Sequence, residues 1–120
     1  MKMETPKIFE SEYRFCEILW ENEPVSSTEL VRLCSEKLEW KKSTTYTVIK
    51  RLAQRGVLKS ENAIVTSLVS KKDVQSAESA EIVERSFSGS LPDFIAAFTR
   101  KRELSGQEIE EIQKIIDSYK

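Results

Sequence analysis

The chain has 120 residues, 19 basic and 20 acidic, with 39% hydrophobic and 32% charged side chains and a formal net charge of −1. That length makes one domain, or one small domain with an appendage, and leaves no room for a large enzymatic cleft beside a modest core. Histidine is absent, so the usual general base and the commonest metal ligand are both missing, and no nucleophile–base constellation stands in for them.

No apolar run approaches the ~18 residues a membrane span needs, and no signal peptide opens the chain, so the expectation is a cytoplasmic protein with no direct membrane insertion. Cys16 and Cys34 fall singly on separate predicted helices without CxxC pairing. They read as small buried hydrophobes in a reducing compartment, with no metal or cofactor expected.

Residues 1–9 form a short arm, with Phe9 packing where the first helix begins. Ser11 is the expected N-cap of that helix, whose apolar positions are Tyr13, Cys16, Leu19 and Trp20. Asn22 and Pro24 end it. Ser26, with Glu29 three residues on, makes a capping box for a second helix with Leu30, Leu33, Cys34 and Leu38 on one face. Trp40 and the Lys41-Lys42 pair lead into a third helix near Ser43.

In that helix Thr45, Val48, Ile49 and Leu52 fall at i, i+3, i+4 and i+7, a stripe that must be buried. Thr44, Thr47, Arg51 and Gln54 lie opposite, with Tyr46 and Lys50 on the shoulders. Gly56 sits where a helix C-cap needs a positive φ. Charge sharpens the picture. Residues 1–36 carry 4 basic and 8 acidic groups and residues 60–120 carry 8 and 11, whereas residues 37–59 carry 7 and 1. One basic island in an acidic chain is the electrostatic footprint of a polyanion site. A solvated face on an ordinary amphipathic helix is the other reading.

Three short helices with a basic third make a helix-turn-helix core. Val57-Leu58-Lys59 and residues 63–69 then read as two strands around a Ser60-Glu61-Asn62 turn, a hairpin wing that must dock on the helices to be stable. From Ser70, paired with Asp73 as a cap, a helix runs to Phe87 with Val74, Ala77, Ala80, Val83 and Phe87 inward. Ser88-Gly89-Ser90 breaks the chain. Leu91, Phe94, Ile95 and Phe98 mark a short helix with Pro92 in its first turn, and Ser105 with Glu108 caps a last helix carrying Ile109, Ile112, Ile116 and Tyr119. These helices are too short and too few to bury their own stripes, so they are expected to meet the same region of a second copy in a two-fold homodimer. Folding back on the N-terminal core is the alternative. The fold class expected is therefore mainly α: a winged helix-turn-helix over 1–69 and a helical dimerisation region over 70–120.

The run Trp40 to Leu52, continuing through Arg55-Gly56-Val57-Leu58, resembles the recognition-helix region of the penicillinase-repressor family, the BlaI/MecI/CopY type. Glu17-Ile18-Leu19-Trp20 is similar to that family's N-terminal signature, and Phe98 to Ser105 with Glu108 to Glu111 is similar to its C-terminal run. The resemblance covers nearly the whole chain in order. It implies a winged-helix repressor that binds a palindromic operator in double-stranded DNA as a homodimer. It also implies release by proteolysis in the C-terminal domain, with a membrane-bound sensor-transducer protease as a further candidate partner. The candidate bond on this sequence is Ala97–Phe98, although antibiotic-resistance members carry asparagine where Ala97 stands. The cysteine-rich tail of copper-responsive members is absent, and the wing lacks the aromatic and basic residues expected, with Glu61 at its tip.

In a complex with duplex DNA, Thr44, Thr47 and Arg51 would face the major groove, with Tyr46 and Lys50 at its margins. Arg51 has the fork that matches the O6 and N7 of guanine, or it pairs with an acidic residue of a neighbouring helix. Lys41, Lys42, Ser43 and Arg55 are placed to neutralise phosphates. The competing functional class is a winged-helix protein-interaction module without DNA binding, which the acidic balance and poor wing favour.

Overall fold

The computed structural model describes residues 4–120, so the first three residues of the expected arm lie outside the described residues. Helix α1 (Glu10–Asn22) buries Glu12, Phe15, Cys16, Ile18 and Leu19. Its stripe is thus Glu12, Phe15, Cys16 and Leu19. The expected stripe through Tyr13 and Trp20 is corrected: both lie at the edge of the core, ring to ring at 5.7 Å and 72°. Ser11 is not the cap either. Phe9 occupies that position, and its N–H donates to Glu12 Oε1 at 3.0 Å.

A two-residue strand, β1 (Val25–Ser26), leads into α2 (Ser27–Leu38). Ser26 Oγ accepts from Glu29 N–H at 3.1 Å, which is half of the expected capping box. The Glu29 carboxylate turns instead to Arg32, one turn along the exposed surface. Leu30, Leu33 and Cys34 are buried, and Leu38 packs at the margin. Helix α3 (Lys42–Gln54) then sinks Thr45, Val48, Ile49 and Leu52 into the same core. It stops where Gly56 takes φ +81°, the left-handed conformation that costs glycine nothing.

Strands β2 (Leu58–Glu61) and β3 (Ile64–Ser67) form the wing. The turn lies at Asn62-Ala63, both at positive φ, not at Ser60-Glu61-Asn62 as expected. Two successive left-handed residues match the right-handed twist of the flanking strands. The hairpin is also not alone. β1 pairs antiparallel with β3, Val25 opposite Val65, giving a three-stranded sheet in the order β1-β3-β2. Two side chains of the α1 end strap it further. Glu23 accepts from Ser67 N–H at 2.7 Å, and Trp20 Nε1 donates to Val69 O at 3.0 Å. Phe15, Leu19, Leu30, Leu52, Leu58 and Val65 are the large closed side chains between helices and sheet, and Phe15 stacks flat on Trp40 at 6.1 Å.

Helix α4 (Lys71–Phe87) starts on Ser70, whose Oγ accepts from Asp73 N–H at 3.0 Å. The chain divides into two compact units, one ending at Glu78 and the other Ser79–Lys120. Val74 belongs to the core of the first. In the second, α5 (Leu91–Lys101) is capped by Ser90 and α6 (Gly106–Asp117) by the full Ser105–Glu108 box. Phe87, Phe94 and Phe98 form a ring cluster, 5.5 Å and 6.2 Å between successive centroids. Tyr119 falls beyond the end of α6 and is exposed, so it does not extend the helix's stripe.

Candidate nucleic-acid interface

The burial of one face of α3 decides what the other face can do. With Thr45, Val48, Ile49 and Leu52 in the core, Ser43, Thr44, Tyr46, Thr47, Lys50, Arg51 and Gln54 are turned to solvent, as are Lys41 and Lys42 before them. No side chain caps the start of α3, so its first amides, the positive end of the helix dipole, are open beside Lys41 and Lys42. Lys42 Nζ lies 6.0 Å from the Tyr46 ring centroid. Between α3 and the first turn of α1, Ser11, Trp40, Ser43, Thr44, Thr47, Val48 and Arg51 line a shallow cleft of about 420 Å³. This surface offers hydroxyls, ammonium groups and a guanidinium within one helix face, the donor set that base edges and phosphates accept.

The two arginines at the end of α3 differ, Arg51 in its last turn and Arg55 just past it. Arg51 is 56% exposed, with Nη1 3.6 Å from Glu12 Oε2. Arg55, expected at phosphates, is committed elsewhere. Its Nη2 pairs directly with Glu12, its Nη1 donates to Lys7 O at 2.9 Å, and its guanidinium covers the Phe9 ring at 5.2 Å. A side chain spent on a buried carboxylate and a backbone carbonyl ties the arm to the helix, which leaves Arg55 less free than Arg51 to meet a phosphate.

Glu12 was not among the expected site residues, yet it sits behind the exposed face of α3, almost fully buried. Burial works against its charge. Hydrogen bonds from Arg55 and the Phe9 amide, with the charges of Arg55 and Arg51, outweigh that and hold its carboxyl below the ordinary range. A signal was present: a lone acid standing in an apolar i, i+3, i+4, i+7 stripe demands a cation partner.

The wing carries Lys59 and Glu61, both exposed, two residues apart on β2. Cys16 and Cys34 are free thiols in the core. Burial, with the nearby Glu12 charge, pushes Cys16 up to about 12, and burial raises Cys34. Among the described residues no cluster of His, Cys, Asp or Glu is placed to hold a metal, and no helix is long and apolar enough to cross a membrane.

In the second unit Leu91, Ile95, Phe98, Ile109 and Ile116 are 41–57% exposed, while Val83, Phe87, Phe94 and Ile112 are partly covered. An apolar groove of about 340 Å³ runs between Ala80, Ile82, Val83, Leu91 and Phe94. Ala97 and Phe98 lie within α5, two turns from its start.

Comparison with known proteins adds to this geometry. The family model described as penicillinase repressor matches residues 8–118. The penicillinase repressor of Bacillus licheniformis is 24% identical over 119 residues, 96% of this chain and 93% of that protein. The methicillin resistance regulatory protein MecI of Staphylococcus aureus is 27% identical over 121 residues, 98% of each chain. Among solved structures, the DNA-binding domain of the repressor BlaI superposes with TM-score 0.50 at 22% identity, over 59% of this chain and 93% of that one. Monomeric Bacillus licheniformis BlaI, solved in complex with the blaP half-operator, gives TM-score 0.52 at 22% identity over the same shares. Over the matched 59% of the chain, the helices and small antiparallel sheet thus form a winged-helix fold of the BlaI type.

Proposed function

Because the chain belongs to the penicillinase repressor family, we propose that it is a sequence-specific transcriptional repressor that binds a palindromic operator as a homodimer. The observation that carries this reading is the α3 surface: one helix, buried on one side, presents Thr44, Thr47, Lys50 and Arg51 together on the other. A helix of that kind enters the major groove with its side chains at base edges. Arg51 reads guanine through O6 and N7, and Thr44 and Thr47 meet thymine methyls or phosphates, with Tyr46 and Lys50 at the groove margins. Lys41, Lys42 and Ser43, at the open start of α3, hold phosphates and set the register.

One such helix binds weakly, and two linked copies gain affinity through effective concentration. The exposed apolar side chains of α5 and α6 support a second copy as their cover, with Val83, Phe87, Leu91, Phe94, Ile95, Phe98, Ile109, Ile112 and Ile116 in the shared interface. Scission of Ala97–Phe98 by a membrane-bound sensor-transducer protease would detach α6 and dissolve that interface, which is the release step. No part of this function calls for enzymatic chemistry by the chain itself.

The roles separate in a pair of variants measured by fluorescence anisotropy. Arg51→Ala weakens operator binding by about 1–3 kcal/mol and relaxes discrimination at one base position. Lys42→Ala weakens operator and scrambled duplex alike and reduces the salt slope by about one. If Arg51→Ala weakens every sequence equally, Arg51 does not read a base.

A further inference from the structure

Behind the reading face stands one carboxylate shared by two guanidinium groups. Glu12 Oε1 accepts from Phe9 N–H at 3.0 Å, while Oε2 pairs with Arg55 Nη2 and faces Arg51 Nη1 at 3.6 Å. Glu12 is 2% exposed and cannot turn away; Arg51 is 56% exposed and can move. We infer that Glu12 is a positioning residue for sequence readout, its buried carboxylate anchored by Arg55 and the Phe9 amide and holding the Arg51 guanidinium in place over the cleft.

This rests on the repressor reading above and deepens it. A long, exposed arginine loses rotamer freedom when it docks on a base, and a guanidinium already restrained has less to lose. At 3.6 Å the restraint is a charge attraction rather than a hydrogen bond, so the N–H donors of Arg51 stay free for a guanine edge. One acid between two cations also leaves this corner net positive toward DNA. Glu12 stays ionised to do this, since the hydrogen bonds and charges on it overcome its burial. A fold-only role for Glu12 would be served by Arg55 and the Phe9 amide alone and would leave Arg51 indifferent.

The test compares Glu12→Gln with the parent chain in two ways. The first is NMR relaxation of the Arg51 Nε–Hε pair in the free protein. Restraint by Glu12 gives an ordered signal in the parent that becomes as mobile as a free arginine in Glu12→Gln. The second is anisotropy against the duplex upstream of the chain's own gene and a scrambled copy. The ratio of the two affinities falls by up to about tenfold in Glu12→Gln, the rotamer freedom that an unrestrained Arg51 must give up to dock on a base. Binding to the scrambled duplex holds or tightens, because a negative charge has gone. In Glu12→Gln/Arg51→Ala the ratio falls no further than in Arg51→Ala alone.

Should Glu12→Gln fail to fold with Arg55 unpaired, Glu12→Gln/Arg55→Met removes charge from both sides and carries the same readouts. An Arg51 signal unchanged by loss of Glu12, equal weakening on both duplexes, or multiplicative losses in the double variant would overturn the inference. If the parent chain does not distinguish the duplexes, the repressor reading falls, and the Arg51 signal still decides whether Glu12 positions it.

Discussion

At the scale of single residues, the ionisation of Glu12 couples the arm and two helices to pH. Its folded carboxyl lies below the ordinary value, so the unfolded chain takes up a proton first on acidification. Stability from this group is therefore complete above about pH 4.5 and is lost as pH falls through the folded value. The exposed Glu29, hydrogen-bonded by Arg32, and Glu108, hydrogen-bonded by the Ser105 amide, are also lowered and contribute in the same direction. Urea midpoints measured from pH 7 to pH 3 isolate the Glu12 share. The parent chain loses stability more steeply below pH 4.5 than Glu12→Gln does, whereas parallel curves would show that Glu12 contributes nothing.

At the scale of elements, the wing turn offers a cleaner test of backbone physics. Ala63 holds φ +64° in the second position of a two-residue turn, where a Cβ crowds the following carbonyl. Ala63→Gly should raise unfolding free energy by roughly 0.5–1 kcal/mol, the relief of that crowding less the added freedom of the unfolded chain. A fall in the urea midpoint would mean that the turn is not strained. At the other end of the scale, Leu52 is completely enclosed, and Leu52→Ala should cost about 2–5 kcal/mol.

The same elements explain what could be read from the chain before its structure. The α3 stripe was legible because four apolar positions kept strict helical spacing and a glycine ended them. The caps at Ser26, Ser70 and Ser105 were marked by an acid three residues on, whereas Ser90 was read only as part of a chain break. β1 was not legible, since two residues carry no periodicity and Val25 is buried only because β3 lies beside it. The turn was misplaced because alanine in a left-handed conformation is not a turn signal; pairing with β1 and β2 imposes it. Glu12 and Arg55 were missed as partners because 43 positions separate them and an acid in a first turn ordinarily just faces solvent. The exposed face of α3 followed from burial of the opposite one, while the distance from Arg51 to Glu12 needed the fold.

At the scale of the whole molecule, tight operator binding by the proposed repressor needs two linked copies. The apolar side chains left open on α5 and α6 give a dimer interface a specific weak point. Ile112→Asp/Ile116→Asp places charge within it while leaving α1–α3 and the wing untouched. Sedimentation equilibrium should show the parent chain as a dimer and this variant as a monomer, with operator affinity lowered by 10²–10⁴, roughly the avidity of two linked sites. A chain ending at Ala97 should behave in the same way. A variant that stays dimeric would move the interface elsewhere.

Anisotropy of the parent chain on the duplex upstream of its own gene, with a scrambled duplex beside it across a salt series, decides whether the chain is a sequence-specific repressor. A repressor binds the upstream fragment specifically, with two chains per duplex. The expected salt slope is roughly −5, from Lys41, Lys42 and Lys50 of two protomers on about six phosphates. Sequence-blind binding with a flat salt dependence would contradict the repressor reading and leave the winged helix as a module that meets other proteins.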